Sequence, residues 1–302
     1  MSPSPHSVTV HAKSVAQALG ARYRTCSRGE QAGQRGAMTI EQIIVIAVVQ
    51  GITEFLPISS SGHLILVPNI MHWPDQGQFV DVMVHVGTLL AILIYFWRDV
   101  WRITIGAVEL CKGNVTDDGR LAIYILLASI PAVAFGIFLK KFGFADLERN
   151  VAVVAWNTIL YGILMLIADM VGPQDRTMAK MTLGSALVIG VAQALALIPG
   201  TSRSGVTMTA ARFLGFTRPD AARFSFLLGI PAIAGAGVFT LGDAIASGEA
   251  ITADAFYCAI LTFFAGLAAI AFLMALLKRI SFLPFVLYRM VLGGFLLVLV
   301  YT

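Results

Sequence analysis

Two apolar segments of this chain are each interrupted near the middle by a polar turn. The first, residues 39–72, breaks at Pro57 to Gly62 inside LPISSSGHLILV. The second, residues 183–214, breaks at PGTSRSG, residues 199–205. A helix broken at bilayer depth frees N–H and C=O groups that hydrocarbon cannot satisfy, so a break survives only when buried in protein or lining a wet cavity. Other helices must therefore surround each one. Six uninterrupted apolar stretches supply them, at about 78–96, 120–139, 151–171, 222–245, 254–277 and 283–301, each near the roughly 20 residues a crossing needs. Charged residues are 13% of the chain and the mean hydropathy is +0.82, against roughly 25% charge in soluble domains. The expected fold is all-α: a polytopic integral membrane protein with about six full crossings and two re-entrant broken helices.

The breaks resemble each other. QGITEFLPISSSG (50–62) aligns without gaps on QALALIPGTSRSG (193–205), matching Gln50 to Gln193, Ser59 to Ser202, Ser61 to Ser204 and Gly62 to Gly205. Each break is followed by three crossings. An odd number of crossings between equivalent elements turns the second upside down, which is the inverted-repeat plan, with broken helices meeting near the midplane. A single membrane domain is expected over 38–302, with repeat A at about 39–171 and repeat B at about 183–301. Residues 1–37 are polar, carry Arg22, Arg24, Arg28 and Arg35, and lack an apolar core; they read as a disordered or dispensable extension.

Loop charge gives a direction. Arg98, Arg102, Lys112 and Arg120 share one loop, Arg176 and Lys180 another; Arg212, Arg218 and Arg223 follow the second break, and Lys278 and Arg279 sit in a short turn. With these in the cytoplasm, the first hairpin enters from outside and the second from the cytoplasm. Lys140, Lys141 and Arg149 fall on the other side. The net charge of +4 suits loop bias and anionic headgroups; it is no nucleic-acid footprint. Cys26, Cys111 and Cys258 show neither CxxC nor metal-ligand spacing.

Ionisable residues inside membrane segments mark function, and Glu54, His63 and Arg203 qualify. Around them stand Ser59, Ser60 and Ser61 in the first break, and Ser202, Ser204 and Thr207 in the second. This set suits phosphoryl recognition. Arginine offers a planar fork for phosphate oxygens, and Ser-Gly turns opening onto helices offer free N–H groups. Ser60 and His63, at i and i+3, read as a nucleophile and its acid/base partner. Glu54 reads as a proton acceptor or, with phosphate oxygens, a ligand to a divalent cation. The same serines also suit helix capping, and His63 also suits packing. Asp81 and His85 read as support or a helix–helix contact, and GIPAIAGAG (229–237) as a small-residue packing face.

QGITEFLPISSSGH and PGTSRSGVT closely resemble the two signature segments of the bacterial undecaprenyl-diphosphatase (bacitracin-resistance) family, and FSFLLGIP (224–231) and KRISFLPFVLYR (278–289) resemble further parts of it. The likeness covers 39–302. It implies a multi-pass phosphatase of the bacterial cytoplasmic (inner) membrane that converts a C55 polyprenyl diphosphate to the monophosphate. Such an enzyme recycles the lipid carrier for peptidoglycan and confers bacitracin resistance, with its site facing the periplasm. Carried over by position, Ser60, His63, Glu54 and Arg203 are the catalytic residues, and Gln50, Ser59, Ser202, Ser204 and Thr207 bind substrate. A divalent cation (Mg²⁺ or Ca²⁺) rests on Glu54 and substrate phosphate oxygens. Many relatives carry glutamate at the position of Gln50, so a two-carboxylate metal site is not expected here. The implied partners are the polyprenyl diphosphate lipid, the membrane and, as a further state, a second copy in a homodimer. Covalent attack by Ser60 and direct attack by water both remain open. The alternative function is a flippase or transporter of phosphorylated polyprenyl lipid, which shares the inverted-repeat plan.

Overall fold

The computed structural model describes residues 38–71, 73–74, 76–142, 151–246 and 252–301. The polar segment 1–37 and Arg149 lie outside the described residues. The helices are α1 Ile40–Thr53, α2 Ser60–Met71, α3 Gln78–Tyr95, α4 Trp97–Cys111, α5 Asp117–Lys141, α6 Val151–Val171, α7 Leu183–Leu195, α8 Arg203–Phe213, α9 Arg218–Ala246, α10 Ala253–Leu276 and α11 Leu283–Tyr301. No strand occurs among the described residues, only an isolated bridge between Arg176 and Phe216. The fold is all-α and polytopic, as the hydropathy required.

Both interrupted segments are pairs of short helices. α1 has 14 residues and α2 has 12, about 21 and 18 Å at 1.5 Å per residue, and neither reaches across a roughly 30 Å hydrocarbon core. α7 and α8, with 13 and 11 residues, repeat the arrangement. The joints match in detail. Ser59 and Ser202, paired by the sequence alignment, are the two non-glycine residues with positive φ among those described, at 74° and 69°, and each directly precedes the second helix of its pair. A left-handed residue costs about 1–2 kcal/mol. It persists here because surrounding hydrogen bonds hold each turn.

Polar contacts sort the helix ends. Asp169, at the C-terminal end of α6, accepts from Arg212 at the end of α8, from Arg218 at the start of α9, and from the Phe282 N–H ahead of α11. Arg223 near the start of α9 pairs with Asp99 on α4. These residues define one end of the bundle. Lys140 on α5 meets Asp243 on α9 at 3.2 Å at the opposite end. Following the chain through these fixed ends brings the two broken pairs in from opposite sides. The basic residues within 98–120, 176–180, 212–223 and 278–279 gather at the Asp169 end, and Lys140 and Lys141 at the other.

The halves interlock. α1 packs along α10 in the second half, and its counterpart α7 packs along α5 in the first; α3 pairs with α9 and α6 with α11. Close approach is built in: a Cβ on Gly190 of α7 would stand 2.2 Å from the Ala128 carbonyl of α5. The buried core runs through Phe55, Ile92, Met165, Ile189, Met208, Phe224, Phe226 and Leu273. Apolar side chains such as Leu126, Ile130, Val133 and Ile137 on α5 point outward, as expected of a surface solvated by lipid rather than water.

One expectation is corrected. Residues 97–111, grouped with a basic loop in the sequence, form α4, bent by 83° from α3. Its buried side carries Gly106, which approaches the backbone of Asp118 and Gly119 on α5, while Trp97, Trp101, Ile105 and Val108 form an exposed stripe.

Candidate active site

The turns of the broken pairs meet inside the protein around Glu54, which ends α1. Its side chain is 7% exposed. One carboxylate oxygen accepts from Arg203 Nη2 at 3.1 Å, and the other from Ser60 Oγ at 2.7 Å and Gln50 Nε2 at 3.3 Å. His85 Nε2 on α3 lies 3.9 Å from that second oxygen. Every residue in this cluster comes from a helix end or a turn except Gln50, one turn back on α1, and His85. The first residue of α2 is Ser60 and the first of α8 is Arg203, so two helix N-termini lie beside the same carboxylate. Helix N-termini favour an anion.

Arg203 is aimed from the second half. Its Nη1 donates to the Ser225 carbonyl at 3.3 Å. Thr207 supports that contact: its hydroxyl lies 2.6 Å from Ser225 Oγ and donates to the Arg203 carbonyl at 2.8 Å. Gly229 forms the floor. A Cβ there would stand 2.1 Å from Arg203 Nη1, so glycine alone lets the guanidinium lie against α9. Thus Gly229 does more than provide a packing face, while Gly235 and Gly237 of the same run face open space. Arg203 Nε and Gln50 Oε1 are buried without hydrogen-bond partners. Buried polar atoms without a partner are uncommon, and these two belong to residues that donate to the Glu54 carboxylate.

The remaining sequence-selected residues divide by geometry. Ser202 caps α8, accepting from the Gly205 N–H at 3.2 Å. Ser204 crosses the interface, contacting the Glu54 and Leu56 carbonyls at 3.2 and 3.3 Å. These hydroxyls, and that of Thr207, are committed within the protein and hold the two turns together. Ser59 is buried and its carbonyl accepts from His63 Nδ1 at 2.7 Å.

The expected pairing of Ser60 with His63 is replaced. Ser60 donates to Glu54, whereas His63 spans from Ser59 to Tyr288, with Nε2 2.5 Å from the Tyr288 hydroxyl and the rings stacked. A carbonyl can only accept, so Nδ1 carries the proton and Nε2 of the neutral ring accepts from Tyr288. The i, i+3 spacing gave a common face, but a carboxylate six residues upstream outcompetes the ring for the serine. His85, read as a support or packing residue, belongs to the cluster.

Sequence reading missed Arg289, Tyr288 and Ser225. Arg289 is fully buried on α11. It donates to the carbonyls of Pro57 in the first turn and of Gly200 and Thr201 in the second, at 3.2, 3.0 and 3.1 Å, and to Thr158 on α6. One guanidinium thus satisfies the carbonyls that both breaks leave free. The signal available was the family-like stretches holding these residues; nothing local separates Arg289 from a loop arginine.

For a cation, the protein offers one carboxylate with both oxygens already accepting, plus the orphaned Gln50 Oε1. Among the described residues no group of three or more His, Cys, Asp or Glu could hold a metal. The donors fit a cation only if phosphate oxygens complete its shell.

Fold and site together define a multi-pass membrane protein with an ion-paired polar centre enclosed between two oppositely inserted broken helices. The chain belongs to the family described as bacitracin resistance protein BacA, whose model matches residues 43–295. It is 47% identical to the undecaprenyl-diphosphatase of Jannaschia sp., over 88% of this chain and 100% of the relative. It is also 47% identical to that of Erythrobacter litoralis (86% and 99% covered) and 45% identical to that of Roseobacter denitrificans (88% and 100%).

Proposed function

We propose that this protein hydrolyses undecaprenyl diphosphate to the monophosphate and phosphate, recycling the lipid carrier of cell-wall synthesis, as its relatives' name implies. The observation that carries the chemistry is the Ser60 hydroxyl donating to Glu54 at 2.7 Å beside Arg203. A serine hydroxyl becomes a nucleophile when an adjacent base takes its proton. A flippase needs no such pair.

The lipid tail lies along the apolar outer helices and the diphosphate enters between the turns. Arg203 exchanges part of its contact with Glu54 for phosphate oxygens, its free Nε adding a donor, and the α2 and α8 N-termini face the same group. Charge on the transferring phosphoryl is offset there. Ser60 Oγ bonds to the terminal phosphorus, the anhydride P–O bond breaks, the lipid monophosphate leaves with the bond electrons, and Glu54 takes the serine proton. Glu54 passes that proton to the departing monophosphate and then takes one from the attacking water. The water oxygen bonds to phosphorus, the Ser60 Oγ–P bond breaks, and the serine oxygen regains the proton from Glu54 as phosphate leaves. In the direct route Glu54 serves the attacking water and Ser60 only orients it. Glu54 and Gln50 Oε1, together with the substrate's phosphates, would hold a divalent cation, which would supply further charge neutralisation.

The basic loops at the Asp169 end support an orientation in the bacterial inner membrane with that end toward the cytoplasm, and on this reading the site faces the periplasm. Phosphate release from polyprenyl diphosphate by the purified protein, with and without EDTA, tests the reading. Cation-dependent release in wild type and a fall of at least about 10²-fold in Ser60→Ala support the covalent route. No release from folded wild type overturns the function, and full turnover in Ser60→Ala overturns the nucleophile.

A further inference from the structure

The bend between α3 and α4 opens a second polar cleft, at the Asp169 end and away from Glu54. Its volume is about 530 Å³, and Tyr95, Trp97, Arg98, Asp99, Arg102 and Arg223 are among its lining residues. The charges are unequally committed. Asp99, the only acid in the lining, is taken by Arg223, and Arg102 shares Asp118 across an exposed contact at 3.1 Å. Arg98 lies over the Trp97 ring, 5.4 Å from its centroid, and among the described residues no carboxylate pairs with it. The cleft thus keeps positive charge on an aromatic platform.

α4 sets the depth of this cleft. Its exposed stripe of Trp97, Trp101, Ile105 and Val108, 57, 62, 45 and 48% accessible, faces away from the α5 contact, and Arg98 and Arg102 flank the stripe. A helix with an apolar tryptophan-bearing face, a basic edge and a sharp turn out of a spanning helix suits the plane of the membrane interface. Arginines at that depth meet lipid phosphates, and basic pockets between helices on the cytoplasmic side take anionic headgroups.

We propose that the α3–α4 cleft is a binding site for the headgroup of an anionic phospholipid. Arg98 and Arg102 contact the phosphate, and α4 lies in the leaflet interface. A zwitterionic choline headgroup is selected against, because its cation would meet the same arginines. The site is independent of the hydrolase reading, and no residue in it touches Glu54.

Tryptophan quenching tests this directly. The full chain carrying Trp73→Phe and Trp156→Phe reports through Trp97 and Trp101 alone. In nanodiscs, phosphatidylglycerol brominated near the headgroup is titrated against unlabelled lipid, and brominated phosphatidylcholine likewise. The expected result is a preference of about fivefold or more for phosphatidylglycerol, the size expected for one interfacial arginine. Arg98→Gln, an exposed change, brings it within about twofold of parity. Arg120→Gln, which removes a charge paired with Asp117 outside the cleft, leaves it in place. Equal quenching by both lipids in the parent, an unchanged preference in Arg98→Gln, or an equal loss in Arg120→Gln each overturns the site.

Discussion

At the residue scale the account rests on Arg203 and what constrains it. A lysine keeps the charge but not the planar fork, and it cannot reach Glu54 and the Ser225 carbonyl in the same geometry. Arg203→Lys is therefore expected to lower kcat by about 10²-fold or more, measured as phosphate release from protein of unchanged thermal stability. Gly229→Ala makes a sharper test, because it touches no substrate. The added methyl displaces the guanidinium, and misplacement by an ångström costs about 10²-fold. The expected outcome is a loss of kcat/KM of that order with the fold intact; wild-type kinetics would show that the position of Arg203 is unimportant. That Glu54, Ser60 and Arg203 are candidates was legible in the sequence because polar groups in apolar segments stand out, and the structure brings the three together. Their partners were not. Ser60 goes to Glu54 rather than His63 because the turn at Ser59 folds the start of α2 back beside the end of α1, a geometry that helical spacing does not encode.

At the element scale, a broken helix is stable only if its freed carbonyls are satisfied. Arg289 satisfies carbonyls in both turns at once. Arg289→Met removes these donors and leaves the Gly200 carbonyl only a long bond from Thr158 Oγ1 at 3.4 Å. Each buried carbonyl left unpaired costs about 1–3 kcal/mol, so a drop of about 3 kcal/mol or more is expected, read as a lower unfolding temperature in detergent. Arg289→Lys should recover only part of it, having fewer donors in a less rigid arrangement. Equal stability of wild type and Arg289→Met would mean that the turns hold themselves. The broken pairs were visible in the sequence through their four matched positions, and the shared positive φ of Ser59 and Ser202 shows what one of those positions is for. α4 was hidden by its arginines, although Trp97, Trp101, Ile105 and Val108 have helical spacing. Arg289 could not be assigned because its partners are backbone carbonyls, which leave no trace in side-chain pattern.

At the scale of the whole molecule, two oppositely inserted hairpins place one ion-paired polar centre between halves that interlock through α1 on α10 and α7 on α5. The charge distribution predicts the sidedness. With Cys26 and Cys111 replaced by serine, Lys141→Cys should react with an impermeant thiol reagent in intact cells and Arg279→Cys only after permeabilisation; the reverse pattern inverts the molecule. Crossing number and inversion were read from hydropathy and the odd count of spans, while interlocking needed coordinates, since apolar helix faces fit many neighbours.

The central claim is that the two breaks make one phosphoryl-transfer site, with Glu54 from one half and Arg203 from the other acting on the same group. Phosphate release from polyprenyl diphosphate by Glu54→Gln, Arg203→Ala and the double variant measures it. The account predicts that each single change lowers turnover by about 10²-fold or more, and that the double variant is little worse than the worse single one, as for residues that act as a unit. Losses that multiply in the double variant, or a single variant that keeps near-wild-type release, would contradict a shared site.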